Sequence, residues 1–304
     1  MKERSLVVFS IIGIILFLFG CEKEIEVDLP NYEPKLVVEG YIEQNDYPFV
    51  MLSKSIPYFD PVDTNTLNNI MISNDEATVI VSNGEETDTL QFISFGQFKG
   101  FVGTKFKGEV GKKYSLKVIY KNKVYYSTTT ITPPVPIDSI KFYPDPEGET
   151  DTLGFLWLYA KDPDTLGNNY RIFTKTLGKD PVFVHPRISV DEDKYFNGIN
   201  MEFSIYHGWN MMKANDYDEQ GRDSLGIKWY YFVMGETVVI KFCTMDRAHF
   251  LFWRSAEQQQ NTDGNPFASP VTPYTNIKGG ALGVWGGYGV YLDTITITPD
   301  IIRH

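Results

Sequence analysis

Apolar side chains recur at every second position through most of this chain, a period that admits β-strands and little else. The stretch "KKYSLKVIYKNKVYYSTTTIT" at 112–132 shows the pattern. Tyr114, Leu116, Val118 and Tyr120 fall on one face of a strand, and Asn122-Lys123 supplies the turn. The return strand is rich in β-branched and aromatic residues, which suit a half-buried pleated surface. The same alternation marks "KLVVEGYI" (35–42), "FVMLSKS" (49–55) and "ATVIVSNGEE" (77–86), the last with the turn dipeptide Asn83-Gly84. Short strands at such spacing, with no long helical period among them, predict an Ig-like antiparallel β-sandwich over residues 35–133. The stretch 57–75, "PYFDPVDTNTLNNIMISND", breaks the alternation and is full of turn formers. It reads as a long loop between strands, where binding function concentrates.

"TPPVPIDSI" (132–140) carries three close prolines that stiffen an extended connector, after which a new strand pattern opens. A second, β-rich domain is expected over 134–304. Its strands are "FLWLYAKD" (155–162), "NYRIFTKTL" (169–177), "MEFSIYH" (201–207) and "KWYYFVMGETVVIKF" (228–242), the last with a turn at Gly235-Glu236. One helix is expected in "MDRAHFLFWRSAEQQ", with Thr244 as its cap and Asp246 near its positive end. A glycine-rich run and a final strand close the chain. The fold class is thus mainly β: an Ig-like sandwich followed by a second β-rich domain with one helix.

The N-terminus asks for separate treatment. Lys2 and Arg4 precede an apolar block from Leu6 to Phe19, shorter than a membrane span, and Gly20 then precedes Cys21. Residues 1–20 read as a lipoprotein signal peptide. The Cys21 thiol receives a diacylglyceryl group and its freed amine is acylated, which exceeds the one-chain limit of marginal attachment. Residues 21–34, with Pro30 and Pro34, form an acylated tether to the lipid bilayer. The formal net charge of −11, one unit more negative without the signal segment, excludes a nucleic-acid partner, since phosphates call for clustered Lys and Arg. With Cys21 acylated, Cys243 stands alone, so neither an intrachain disulfide nor a cysteine metal site is expected. Cys243 lies in an apolar run and reads as a small buried hydrophobe.

The search for chemistry yields no catalytic residue, metal ligand or cofactor. His185, His207, His249 and His304 show no zinc-protease spacing, and no nucleophile elbow is present. Acidic loops at 162–169, 191–198 and 215–223 lack the closing carboxylate of a calcium loop and read as solvated turns. The glycines from Gly279 to Gly289 are not set between strand and helix with a Lys-Ser/Thr. They read as positions of positive φ or of close backbone approach beside Trp285 and Tyr288. Aromatic residues in loop-like stretches remain: Tyr58, Phe59, Trp209, Trp285 and Tyr288 are the expected ligand or partner contacts, with Trp229 and Tyr274 in similar settings.

"CEKEIEVDLP", "PKLVVEGYI", "LSKSIPYFD" and "GNPFASPVTPYTNIKGGALGVWGGY" together resemble a family of Bacteroidota lipoproteins catalogued as domain of unknown function forty-two forty-nine. The likeness runs from Cys21 to the final strand. Acidic residues after Cys21 also resemble the surface-export signal of such lipoproteins. Because family members are often encoded beside TonB-dependent outer-membrane receptors, the resemblance implies an accessory role at such a receptor or a related envelope complex. It brings no catalytic residues. The expected function is a non-enzymatic, surface-exposed outer-membrane lipoprotein, with a free-standing glycan- or peptide-binding module as the alternative.

Overall fold

The alternating sequence folds into strands arranged in three sheets. The computed structural model describes residues 32–57, 66, 69–95, 98–146, 150–210, 216–262 and 271–299. The expected signal peptide, Cys21, nearly all of the tether and most of the 57–75 loop, with Tyr58 and Phe59, lie outside the described residues, as does His304. The first part of the chain supplies β1 (Leu36–Glu43), β2 (Phe49–Lys54), β3 (Ala77–Ser82), β4 (Thr87–Thr89), β5 (Gln91–Phe95), β6 (Phe98–Val102), β7 (Lys113–Tyr120) and β8 (Lys123–Thr130). After the connector come β9 (Ile137–Pro144), β10 (Leu153–Lys161), β11 (Asn169–Thr176), β12 (Val190–Glu192), β13 (Asn200–Ile205), β14 (Phe232–Val233), β15 (Thr237–Met245) and β16 (Leu282–Thr296). The helix α1 (Arg247–Thr262) lies between the last two.

Two local expectations shift by a residue or two. The β7–β8 turn centres on Lys121-Asn122 rather than Asn122-Lys123, because Tyr120 pairs with Lys123. Both central residues have positive φ, 49° and 60°, the mirror-image turn whose twist matches the flanking strands. Thr244 belongs to β15 and does not cap the helix. Asp246 does, its Oδ1 accepting the His249 N–H at 2.9 Å, while its other oxygen accepts the Thr129 hydroxyl. Such a cap contributes about 1 kcal/mol.

The largest sheet has the order β12-β11-β15-β16-β1-β2-β6-β5, and two four-stranded sheets are built from β4-β3-β7-β8 and from β9, β10, β13 and β14. Alternation along β16 fixes the layering. Trp285 enters one core with Val38, Val79, Leu116 and Val118. Tyr291 and Ile295, on the same face, pack against a second core with Phe142, Leu156, Ile240 and Phe242. The two small sheets therefore stand side by side on one face of the large one. Val284, Gly286 and Tyr288 point the other way, where α1 packs over Tyr288, Cys243 and Met245.

The expected boundary at 133/134 falls on the connector and separates most of the two cores. It does not separate two independent sheets. Ile277, Ala281 and Trp285 return to complete the first core, and β16 pairs parallel with β1 before pairing antiparallel with β15. Pro34–His304 accordingly forms one compact unit.

Positive φ accounts for Gly280, and close approach for the glycines at the centre of β16. A Cβ on Gly286 would lie 1.9 Å from His249 Nδ1, and one on Gly289 would lie 2.0 Å from the Thr132 carbonyl oxygen. The helix crosses one side of the strand and the connector the other. Gly289→Ala should therefore cost about 3 kcal/mol or more, since its obstacle is backbone. Gly286→Ala meets a side chain, so His249→Ala should rescue part of its loss. A double-mutant cycle by urea unfolding is expected to give a coupling of about 1–3 kcal/mol for that pair. Strict additivity would show that the ring is not the obstacle.

Candidate functional site

The second sandwich is open on one side. β12 ends the large sheet and β13 ends the small one, and between these edges lies a cleft of about 1010 Å³. Its strand-side wall follows from alternation in β10. Leu156 and Leu158 point into the core, so Phe155 points outward. The β10–β13 register pairs Trp157 with Ser204 and Tyr159 with Glu202, which sets Glu202 and Ser204 on that same face. Tyr206 follows, its ring 4.5 Å from that of Phe155.

Trp229, Tyr230 and Tyr231 complete this wall, presented by a segment folded through two aspartate turns. Asp218 accepts the N–H groups of Gln220 and Arg222 at 2.9 and 2.8 Å. Asp223 accepts those of Leu225 and Ile227, both at 2.9 Å. Aspartates of a stretch that reads as a solvated turn thus shape the backbone beneath the aromatic wall. Tyr231 stacks at a tilt on Tyr230 (4.7 Å) and Phe155 (5.3 Å), and its hydroxyl donates to Asp145. Lys228 lies over the Tyr230 ring at 5.5 Å.

The opposite wall, Pro186–Asp191, is pinned to α1. Arg187 Nε donates to Asn261 Oδ1. Ser189 donates through its N–H and its hydroxyl to Glu257. Glu192, just beyond, pairs with Arg247 and Arg254. Arg171 locks the arrangement from beneath. Its buried guanidinium donates to Ser189 Oγ at 3.1 Å and to the Tyr288 hydroxyl at 2.8 Å, and lies 3.5 Å from the Trp253 ring centre. Such a contact contributes up to about 2 kcal/mol when desolvated. Burial pushes the Glu257 carboxyl above its ordinary range, opposed by Ser189 and Arg171. Burial and the Arg171 charge push His249 down to about 3 and His185 to about 4.

Trp209 lies beside this cleft, 39% exposed, with its ring 5.4 Å from those of Trp229 and Tyr217. Trp285 and Tyr288 do not reach any surface: they are 0% and 2% exposed, and the expectation that they contact a partner is corrected. Asn276 brackets the main chain of Trp285 with bonds of 2.7 and 2.9 Å, and the Tyr288 hydroxyl is spent on Arg171. Phe155, Tyr206, Tyr230 and Tyr231 were missed because they sit in or beside strands, where aromatics usually fill cores.

His207 and Asp180 form a buried pair at 2.8 Å, each 1% exposed. Asp180 also accepts the Thr176 N–H at 2.8 Å. The acidic loops at 162–169 and 191–198 lace together. Asp162 accepts the Gly198 N–H and the Tyr170 hydroxyl, and Asp193 accepts those of Gly167 and Asn168. These carboxylates already meet donors.

Sheets, cores and cleft define a mainly β, sandwich-type protein with one helix and an aromatic cleft. The chain belongs to the family described as Domain of unknown function (DUF4249), whose model matches residues 22–292. No curated protein matches it. Among solved structures, a DUF4785 family protein from Legionella pneumophila subsp. pneumophila str. Philadelphia 1 aligns over 69% of this chain and 52% of its own. This chain thus spans about half of that one, at 6% identity and a TM-score of 0.21.

The buried histidines make a pH prediction. A folded pKa below the unfolded value of 6.5 means that the unfolded chain takes up the proton first. Stability from His249 is full above pH 6.5 and falls as pH drops toward about 3, by up to about 1.4 kcal/mol per pH unit. Glu257, raised, contributes with the opposite sign. In urea melts between pH 6.5 and pH 4, His249→Gln is therefore expected to lose stability less steeply than the native chain. Parallel curves would refute the assignment.

Proposed function

We propose that this chain is a non-enzymatic lipoprotein, held at the outer membrane by acyl groups on Cys21. There it faces the cell exterior and serves a TonB-dependent receptor or related envelope complex by holding cargo in the aromatic cleft. The observation that carries this reading is the cleft itself, with aromatic rings on one wall and the other wall tied to α1. A wall fixed before binding loses little freedom on contact, so more of the interaction appears as affinity. The rings offer large contact area with few rotors.

A binding role rather than bond chemistry is supported by how the reactive groups are used. The His207–Asp180 pair is enclosed and holds the main chain at Thr176. Burial pushes the Cys243 thiol up to about 12, far from the thiolate that attacks substrates. The negative charge of the chain also fits a partner surface other than anionic lipid.

Two measurements test the proposal. Mass analysis of the membrane-extracted protein is expected to show acyl additions at Cys21, and Cys21→Ser should leave the membrane fraction; an unmodified thiol would sink the anchor. Crosslinking in intact cells, followed by mild extraction, should recover a large β-barrel protein with the chain. Recovery of a lone monomer at every detergent strength would remove the receptor role and leave a free-standing binder.

A further inference from the structure

We propose that the cleft between β12 and β13 binds a neutral oligosaccharide. The inference rests on the reading above that the cleft holds a ligand, and it adds the chemical class. Charge selects first. Asp145, Asp191 and Glu202 line the cleft together with Arg187 and Lys228. A polyanion would meet three carboxylates and a polycation would meet two cations. An acyl chain would strip water from all five groups and return no bond to any of them, although Asp145 keeps the Tyr231 hydroxyl and Arg187 keeps Asn261. A ligand carrying both donors and acceptors but no net charge satisfies them all: sugar hydroxyls donate to the carboxylates and accept from the ammonium and guanidinium groups.

The rings select next. Phe155, Tyr206, Trp229 and Tyr231 give one wall an apolar, electron-rich surface. The C–H faces of pyranose rings are apolar and slightly positive, so they lie on such a surface while the hydroxyls at their edges reach the polar groups. Tyr206 is 43% exposed, so part of its ring is open to a ligand. Trp209, beyond it and also exposed, extends the aromatic surface past the cleft.

Size selects last. A cleft of about 1010 Å³ stands at the upper end of small-molecule sites, which run from about 300 to 1,000 Å³. It has room for several linked sugars. The open side between the two sheet edges lets a longer chain continue into solvent, which suits a polymer fragment better than a closed monosaccharide pocket.

The test uses the full chain, extracted in a detergent without a sugar headgroup. Isothermal titration is run with neutral hexasaccharides of glucose, xylose and mannose in α and β linkage, beside octalysine and oligogalacturonate. Saturable binding of at least one neutral probe is expected, at least about tenfold tighter than either charged probe. Tyr206→Ala and Trp229→Ala should each weaken it about tenfold or more. Tyr195→Ala, an exposed aromatic on the laced loops, should change nothing. The melting temperature of each variant is measured beside its affinity, and weakened binding at an unchanged melting temperature reports contact rather than folding. Preference for a charged probe, affinity unmoved by both cleft variants, or no saturable heat with any probe overturns the inference. The two proposals fail separately. A chain that co-purifies a barrel yet binds no sugar loses only this one, and a lone chain that binds sugar loses only the receptor role.

Discussion

The body depends on one strand that keeps two sets of partners. From Leu282 to Tyr288, β16 pairs parallel with β1, and from Tyr288 onward it pairs antiparallel with β15. Tyr288 stands in both registers, opposite Glu43 and Met245. The switch is covered on both faces, by α1 on one and by the connector after β8 on the other. Side chains there would hold those covers away, so Gly286, Gly287 and Gly289 leave only backbone. Two further contacts stitch the region. The Gly287 N–H donates to Thr129 Oγ1 at 2.7 Å, and Lys241 reaches Glu43 at 2.6 Å. A parallel pair formed between opposite ends of the chain closes a very long loop, so the first core waits for the last strand.

That dependence marks what the sequence could and could not disclose. Period-two alternation is local, and it located the buried face of β7 and most of the longer strands. Parallel pairing between β1 and β16 has no local signature, so a split into consecutive domains was the natural reading of the Pro-rich connector. Glycine misled in a specific way. Gly-rich sequence usually means loop, which made Trp285 and Tyr288 look exposed, whereas here glycine replaces side chains where a helix and a connector press on a central strand. Lys121 carries no turn signature of its own, hence the one-residue error in the hairpin. β12 and β14 are too short to leave a pattern.

The site was legible only at its edge. Trp209 stood out because it follows a strand beside turn formers. Phe155 and Tyr206 continue ordinary alternation, and alternation does not say whether the second face is covered by another layer or left open. Only the topology, which leaves β12 and β13 as unpaired sheet edges among the described residues, tells which aromatics face a cleft. The acidic loops read as solvated turns, but 191–198 opens with the end of β12, and Asp162 and Asp193 are buried, where they bind main-chain N–H groups.

The strand switch and the cleft are connected through α1. At one end of the helix, His249 sits against Gly286 and 4.4 Å from the Tyr288 ring. Farther along, Glu257 and Asn261 hold Ser189 and Arg187 of the cleft wall. Arg171 ties both regions by donating to Tyr288 and Ser189 together. Burying such a charge costs several kcal/mol of desolvation, and apolar replacements in comparable settings are often no less stable. Its value here lies in position: directional bonds to Ser189 and Tyr288 fix where the wall stands on β11 and β16, which apolar packing alone would leave free to slide. The same glycine that lets the helix touch the strand therefore sets where the cleft wall stands. A packing change at the switch would reach the ligand-facing surface through a single rigid element.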